Sequence, residues 1–136
     1  MKILVTGAHG FVGKNLVAAL RNQGFMHLLE YDMNTNPILL DDFARDCDFV
    51  FHLAGVNRPE NNDDFMKGNF GFTSQLLDAL KRHNNKAPVL ITSSTQAALD
   101  NPYGKSKKAG EDLLFAYSKE TGAAVYIYRL PNVFGK

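Results

Sequence analysis

Short apolar runs alternate with stretches whose apolar residues recur at helical spacing, from one end of the chain to the other. Ile3-Leu4-Val5 is a compact β-rich run, and after the glycines Val12, Leu16, Val17 and Leu20 mark the buried stripe of a helix. His27 to Tyr31 reads as a second strand, and a short helix is predicted near Leu39 to Arg45. The run Phe49-Val50-Phe51-His52-Leu53 is continuous enough to be a strand buried on both faces. A longer helix follows from roughly Asp64 to His83. Pro88 to Thr92 forms the next strand, its proline at the first position where a missing N–H is tolerated. A helix from Tyr103 to Thr121 ends at Gly122, and Val125 to Arg129 closes the pattern as a fifth strand. Strands separated by helices imply right-handed crossovers and a parallel sheet covered on both faces, the doubly wound α/β class. Ligands in such sheets sit beyond the carboxyl ends of the strands, which directs attention to the residues just after each apolar run.

Composition narrows the functional classes without choosing among them. A length of 136 residues, 45% hydrophobic and 21% charged, fits a single globular domain. Fifteen Lys and Arg against fourteen Asp and Glu leave a net charge of +1, too little field to hold a polyanion, so no nucleic-acid partner is expected. The single cysteine, Cys47, cannot close an internal disulfide, and a reducing cytosol is the expected compartment. Only Lys2 to Thr6 precede the first glycine, far short of the roughly 7–15 apolar residues of a secretory core, and no stretch approaches the roughly 20 residues that span a bilayer. A cytoplasmic protein with no membrane partner is therefore expected.

Thr6-Gly7-Ala8-His9-Gly10-Phe11-Val12-Gly13 follows the first strand and opens the first helix, the context that a dinucleotide-binding turn requires. The spacing is GxxGxxG, with His9 where GxGxxG has its second glycine. Gly7 permits a tight turn, Gly10 lets the backbone approach a diphosphate, and Gly13 allows close packing of helix on strand. The helix N-terminus offers N–H groups and a partial positive charge to phosphate oxygens. Asp32 lies 19 residues beyond Gly13 at the end of the second strand. Its carboxylate suits the hydroxyls of an adenosine ribose and repels a 2′-phosphate, which favours NAD(H) over NADP(H). Glu30 competes for this role, and a strand-end Asp also caps turns such as the one leading into Asn34.

Tyr103-Gly104-Lys105-Ser106-Lys107 sets a phenol and an ammonium at i and i+4, on one face of a helix. An ammonium at that distance is expected to pull the Tyr103 pKa below about 10, toward proton exchange with a substrate carbonyl oxygen. The pair alone also describes a solvated helix face. Thr92-Ser93-Ser94 supplies hydroxyls at the carboxyl end of a buried strand, where one of them either caps the next turn or hydrogen-bonds the same carbonyl oxygen.

Taken together with His52-Leu53-Ala54-Gly55 and Arg129-Leu130-Pro131-Asn132-Val133-Phe134-Gly135, these motifs resemble the extended short-chain dehydrogenase/reductases, the NAD-dependent epimerase/dehydratase group acting on nucleotide sugars. The resemblance covers nearly the whole chain, with the motifs in order. It implies a Rossmann-like fold and an NAD(P)-dependent oxidoreductase. Tyr103 then resembles the general acid/base, Lys107 the lysine that lowers its pKa and binds ribose, and Ser94 the carbonyl-orienting hydroxyl. Leu53, Ala54 and Gly55 would pass beside the cofactor, the Pro131 to Val133 backbone would face the nicotinamide, and Phe11 and Val12 would present N–H groups to the diphosphate. Asn69 resembles a structural asparagine of the helix before the Ser94 strand.

Within that group, Ala54 to Glu60, Gln96 to Gly104 and Val125 to Arg129 are similar to CapF-type enzymes of capsular polysaccharide biosynthesis. That similarity implies reduction of the C4 ketone of a UDP-linked 2-acetamido-2,6-dideoxy-4-hexulose, and an association with NADPH that Asp32-Met33 does not match. Extended members run well past 136 residues, so residues 1–136 are expected to be the NAD(P)-binding, N-terminal portion of a longer enzyme, whose exposed apolar surface favours self-association into a homo-oligomer. Thr95-Gln96 after Ser94 replaces the Asp-Glu pair of family dehydratases, which favours reduction or epimerisation over dehydration. A dinucleotide-binding module without catalysis is the alternative from another class, although it has no need of Tyr103 and Lys107.

The remaining candidates read as structural. His9, His27, His52 and His83 show no metal-ligand spacing, so no metal is expected, and His52 belongs to a buried strand. Asp41-Asp42 and Asp63-Asp64 precede apolar helical patterns, where Asp suits caps and first turns. Lys105 and Lys108 point to solvent, and Arg58 either meets a substrate phosphate or lines a loop.

Overall fold

The computed structural model describes residues 1–54 and 66–130. Five parallel strands form one sheet: β1 (Lys2–Thr6), β2 (His27–Tyr31), β3 (Phe49–His52), β4 (Val89–Ser94) and β5 (Val125–Leu130), in spatial order β2-β1-β3-β4-β5. The helices are α1 (Phe11–Asn22), α2 (Ile38–Asp46), α3 (Phe72–Arg82) and α4 (Pro102–Thr121). A π-helical turn, Met66–Gly71, leads into α3, and a 3-10 turn, Thr95–Ala98, links β4 to α4. The elements therefore match the α/β expectation. The predicted helix from Asp64 begins, within the described residues, with the wider turn around Gly68 and Gly71, residues that weaken a regular start.

From β1 the chain crosses to β2 on one side and then returns past β1 to β3 on the other. The carboxyl ends of β1 and β3 thus flank the point where strand order reverses, which is where an open α/β sheet makes its crevice. Thr6 pairs with His52 across this point, so Gly7 and Leu53 emerge side by side.

Alternation along each strand divides the core in two. Leu4, Val50, Val89 and Ile91 pack with Leu40, Leu76, Leu80, Leu114 and Tyr117 beneath α2, α3 and α4. Ile3 and Val5 pack with Val17, Leu16 and Leu20 beneath α1. Among the described residues coverage is unequal, because three helices lie on the first face and one on the second. The expectation that Phe49 to Leu53 is buried on both faces is corrected: Phe49, Phe51 and Leu53 are half-buried. On their side α1 packs over the β1 end of the sheet, and among the described residues no second helix packs over β4 and β5. Phe49 instead packs at a tilt against Phe51 and stacks with Tyr126, at ring-centroid distances of 4.9 and 6.5 Å. Tyr126 and Tyr128 stay exposed on the edge strand.

Among the described residues no helix is long and apolar enough to cross a membrane, and no group of three or more His, Cys, Asp or Glu side chains is placed to hold a metal ion. Cys47 is a buried free thiol, which burial pushes up to about 12.

Candidate active site

The glycine turn is built by close approach. Gly7 adopts φ +68°, and a Cβ there would lie 2.8 Å from the Ala54 nitrogen, so only glycine lets β1 turn beside β3. A Cβ on Gly13 would lie 2.0 Å from the Gly7 oxygen, which accounts for the tight seating of α1. Gly10 differs from both: among the described residues its Cβ would meet only the Gly7 oxygen, at 3.5 Å. Gly10 N-caps α1 without a side-chain hydrogen bond, so the N-terminus beginning Phe11-Val12 keeps its capacity for an anion.

Asp32 ties this turn to β2. Its Oδ2 accepts the His9 backbone N–H at 2.7 Å and its Oδ1 that of Met33 at 2.6 Å. The turn-forming reading of Asp32 is realised in these two bonds, and Gly7, Gly10, Tyr31, Asp32, Leu53, Ala54 and Phe72 line a cleft of about 390 Å³. Glu30, the competitor, is held by Arg21 at 2.6 Å. The room at Gly10 among the described residues, the uncapped helix start and a carboxylate at the cleft rim fit the diphosphate and ribose of a nicotinamide dinucleotide.

Ser94 ends β4 and accepts the Gln96 N–H at 3.1 Å, capping the 3-10 turn. That turn reverses the chain within nine residues. Asn101 then caps α4 by accepting the Gly104 N–H at 2.7 Å, with Pro102 in the first turn where its missing N–H is harmless. Tyr103 is thereby carried back over Ser94, and the two side chains hydrogen-bond. Gly104 is indispensable to this packing, because a Cβ would lie 2.1 Å from the Gln96 oxygen. Lys107 extends along the same face, its Nζ 5.9 Å from the Tyr103 ring centroid and donating to the Thr92 carbonyl at 3.4 Å.

The expected pull of this ammonium on the phenol is corrected by the structure. Burial pushes Tyr103 above its ordinary value near 10, and the Ser94 hydrogen bond offsets this only in part. Lys107 is itself lowered to about 8 by burial, with the Glu111 carboxylate opposing the shift. The phenol is therefore a protonated donor at neutral pH, and the neighbouring amine titrates near the physiological range.

Sequence reasoning missed two charged residues here. Arg129 on β5 grips the buried Glu111 of α4 with two hydrogen bonds of 2.8 and 2.7 Å. The signal was the i, i+4, i+8 spacing of Tyr103, Lys107 and Glu111 on one helix face. Other expectations settle simply. Lys105 and Lys108 pair on the surface with Asp100 and Asp112. Asp41, in the first turn of α2, pairs with Arg82 and His83, which hold its carboxyl below the ordinary carboxylate range. Gly55, Arg58, Asp63, Asp64, Pro131 and Val133 lie outside the described residues.

A model of the NAD dependent epimerase/dehydratase family matches residues 3–136. This chain belongs to that family. It is 47% identical, over its whole length and 37% of the other's, to a UDP-2-acetamido-2,6-beta-L-arabino-hexul-4-ose reductase of Pseudomonas aeruginosa. Among solved structures it resembles the capsular polysaccharide assembling protein CapF of Staphylococcus aureus, with 48% identity and a TM-score of 0.86 over the whole chain and 37% of that protein. It also resembles a UDP-glucuronic acid 4-epimerase of Bacillus cereus in complex with NAD, with 25% identity and a TM-score of 0.84 over 99% of this chain and 58% of that one. The RMD protein of Pseudomonas aeruginosa complexed with NADPH is 29% identical, with a TM-score of 0.75 over 97% and 55% of the two chains. The chain thus spans a little over a third of the length of the reductase and of CapF.

Proposed function

We propose that residues 1–136 are the NAD(P)-binding portion of a longer nucleotide-sugar oxidoreductase of surface polysaccharide biosynthesis, which reduces the C4 ketone of a UDP-linked 2-acetamido-2,6-dideoxy-4-hexulose. The observation that carries this reading is the convergence of Ser94, Tyr103 and Lys107 at the sheet edge that also bears the glycine-turn cleft. The similarity to a reductase of that sugar class supports the substrate.

A bound nicotinamide dinucleotide supplies hydride to the ketone carbon. Gly7, Gly10 and Gly13, with the N–H groups of Phe11 and Val12, hold the diphosphate in this reading, and Asp32 takes the adenosine ribose. Leu53 and Ala54 flank the cofactor in this reading. Ser94 donates a hydrogen bond that orients the ketone oxygen, and Tyr103 delivers its proton to that oxygen. A phenol held protonated by burial is already in the state a reduction consumes. Epimerisation, the runner-up, begins by removing a proton, which this phenol resists. Lys107, on the same helix face with its Nζ 5.9 Å from the Tyr103 ring centroid, binds the cofactor ribose in this reading.

The Asp32 carboxylate at the cleft rim repels a 2′-phosphate, so NADH is the preferred cofactor in this reading. Two measurements test it. Turnover of the 4-keto nucleotide sugar by the full-length gene product is expected to collapse in Tyr103→Phe while NADH fluorescence titration is unchanged. Equal turnover by both proteins removes Tyr103 from the mechanism, and tighter binding of NADPH than NADH removes Asp32 from cofactor selection.

A further inference from the structure

A chain of buried hydrogen bonds runs under the site from the glycine turn to the helix that carries Tyr103, and His52 stands at its centre. The Thr6 hydroxyl lies 2.6 Å from His52 Nδ1, and His52 Nε2 lies 2.8 Å from the Thr73 hydroxyl. Thr73 donates to the Asn69 carbonyl at 2.7 Å, and the Asn69 side-chain amide donates to the Ser106 hydroxyl at 2.9 Å. Ser106 in turn donates to the Tyr103 carbonyl at 2.7 Å. Thr6, His52, Asn69, Thr73 and Ser106 are all buried.

Counting protons fixes every direction. The Thr73 hydroxyl has one proton, and a carbonyl can only accept, so that proton goes to Asn69 and Thr73 must accept from His52. His52 therefore carries its proton on Nε2. Its Nδ1 is left as an acceptor, which the Thr6 hydroxyl fills while accepting the Ala54 N–H at 3.2 Å. Each hydroxyl donates once and accepts once, and the imidazole is neutral. Burial agrees, holding His52 down to about 3.

The two ends of this chain are functional elements. Thr6 and Ala54 flank Gly7 at the point where the glycine turn touches β3, and both Gly7 and Ala54 line the cleft. At the other end Ser106 holds the Tyr103 peptide, and a Cβ on Gly110 would lie 3.2 Å from the Asn69 oxygen, so α4 and the π-helical turn pack almost backbone to backbone. A network in which every donor has one acceptor does not slip by small increments.

We infer that His52 is a positioning residue, locked as the Nε2–H tautomer, through which occupation of the glycine turn sets the position of Tyr103. The inference rests on the cofactor reading above and adds to it a defined link between the diphosphate site and the proton donor.

The probe that tests it is ADP, which reaches the adenosine and diphosphate positions but has no second ribose or nicotinamide to touch Tyr103. In the wild-type chain, saturating ADP is expected to shift the NMR resonances of the Tyr103 carbonyl carbon and the Gly104 amide nitrogen. Thr73→Val removes the junction between His52 and Asn69 while keeping the side-chain shape. It is expected to abolish that shift with ADP affinity held within about threefold, whereas Thr73→Ser is expected to retain it. Ser106→Ala, which cuts the last link, is expected to behave like Thr73→Val and serves in its place if circular dichroism shows that variant unfolded. The ring nitrogens of His52 are expected to report a bare Nδ1 and a protonated Nε2 down to pH 5. ADP binding without any wild-type response, a full response in Thr73→Val or Ser106→Ala, or a protonated Nδ1 overturns the inference and leaves the cofactor reading intact. Failure of ADP to bind overturns both.

Discussion

Replacing Lys107 by Met keeps most of the stem and removes the charge. In the folded chain burial lowers this amine from 10.5 to about 8. At about 1.4 kcal/mol per pKa unit, that displacement amounts to about 3 kcal/mol of penalty for keeping the ammonium charged inside the fold. The sign follows from proton counting. Below pH 8 both folded and unfolded chains carry the proton and the folded state bears the full penalty. Between pH 8 and 10.5 the unfolded chain holds more protons than the folded one, so wild-type stability rises with pH. Lys107→Met lacks this dependence. The bond it forfeits to Thr92 is 3.4 Å long and contributes little. The variant is therefore expected to exceed wild type by about 2–3 kcal/mol at pH 7, with the gap closing toward pH 10.5. Urea denaturation at half-unit steps from pH 6 to 10, with m-values held equal, measures the gap directly. A pH-independent gap, or a variant less stable than wild type at pH 7, refutes the claim that this amine is strained by burial.

Three further outcomes follow from the same physics. His52 is held neutral by burial, so wild-type stability is expected to fall, relative to His52→Gln, by on the order of 4 kcal/mol as pH drops from 6.5 toward 3; acid titration by circular dichroism checks this, and parallel curves contradict it. Gly104→Ala forces a methyl into the Gln96 carbonyl, and thermal unfolding is expected to register a loss of about 3 kcal/mol or more. Glu111→Gln removes the anion that supports Lys107 and weakens the grip on Arg129; it is expected to lower the Lys107 titration midpoint below about 8 by NMR and to cost about 1–3 kcal/mol.

What the sequence disclosed was whatever local periodicity and backbone geometry control. Ile3-Leu4-Val5 and Val89-Leu90-Ile91 are buried strands whatever surrounds them, and a glycine turn between a strand and a helix dictates how β1 meets α1. Ser94 and Tyr103 were legible because a capped 3-10 turn and an Asn-Pro helix start, both written in adjacent residues, bring them together. The half-open aromatic face was not, since the apolarity of Phe49 and Phe51 does not say how many helices lie over them. Nor was the phenol's direction of titration, which depends on how deeply α4 seats on β4 rather than on the four-residue spacing to Lys107. The Glu111–Arg129 clasp and the His52 chain join residues from separate elements, and each member read alone, such as a histidine inside an apolar strand, carries no sign of its partner.

Gly10→Val tests most directly the claim that the turn after β1 receives a dinucleotide. The backbone at Gly10 is extended, at φ −74° and ψ 176°, and among the described residues its Cβ position meets no atom closer than 3.5 Å. The substitution therefore fills the space assigned to the diphosphate without disturbing the fold. NADH fluorescence titration of the two proteins, with matched thermal unfolding curves, is expected to show binding by wild type and none by the variant. NADH binding of equal affinity by Gly10→Val would contradict the account.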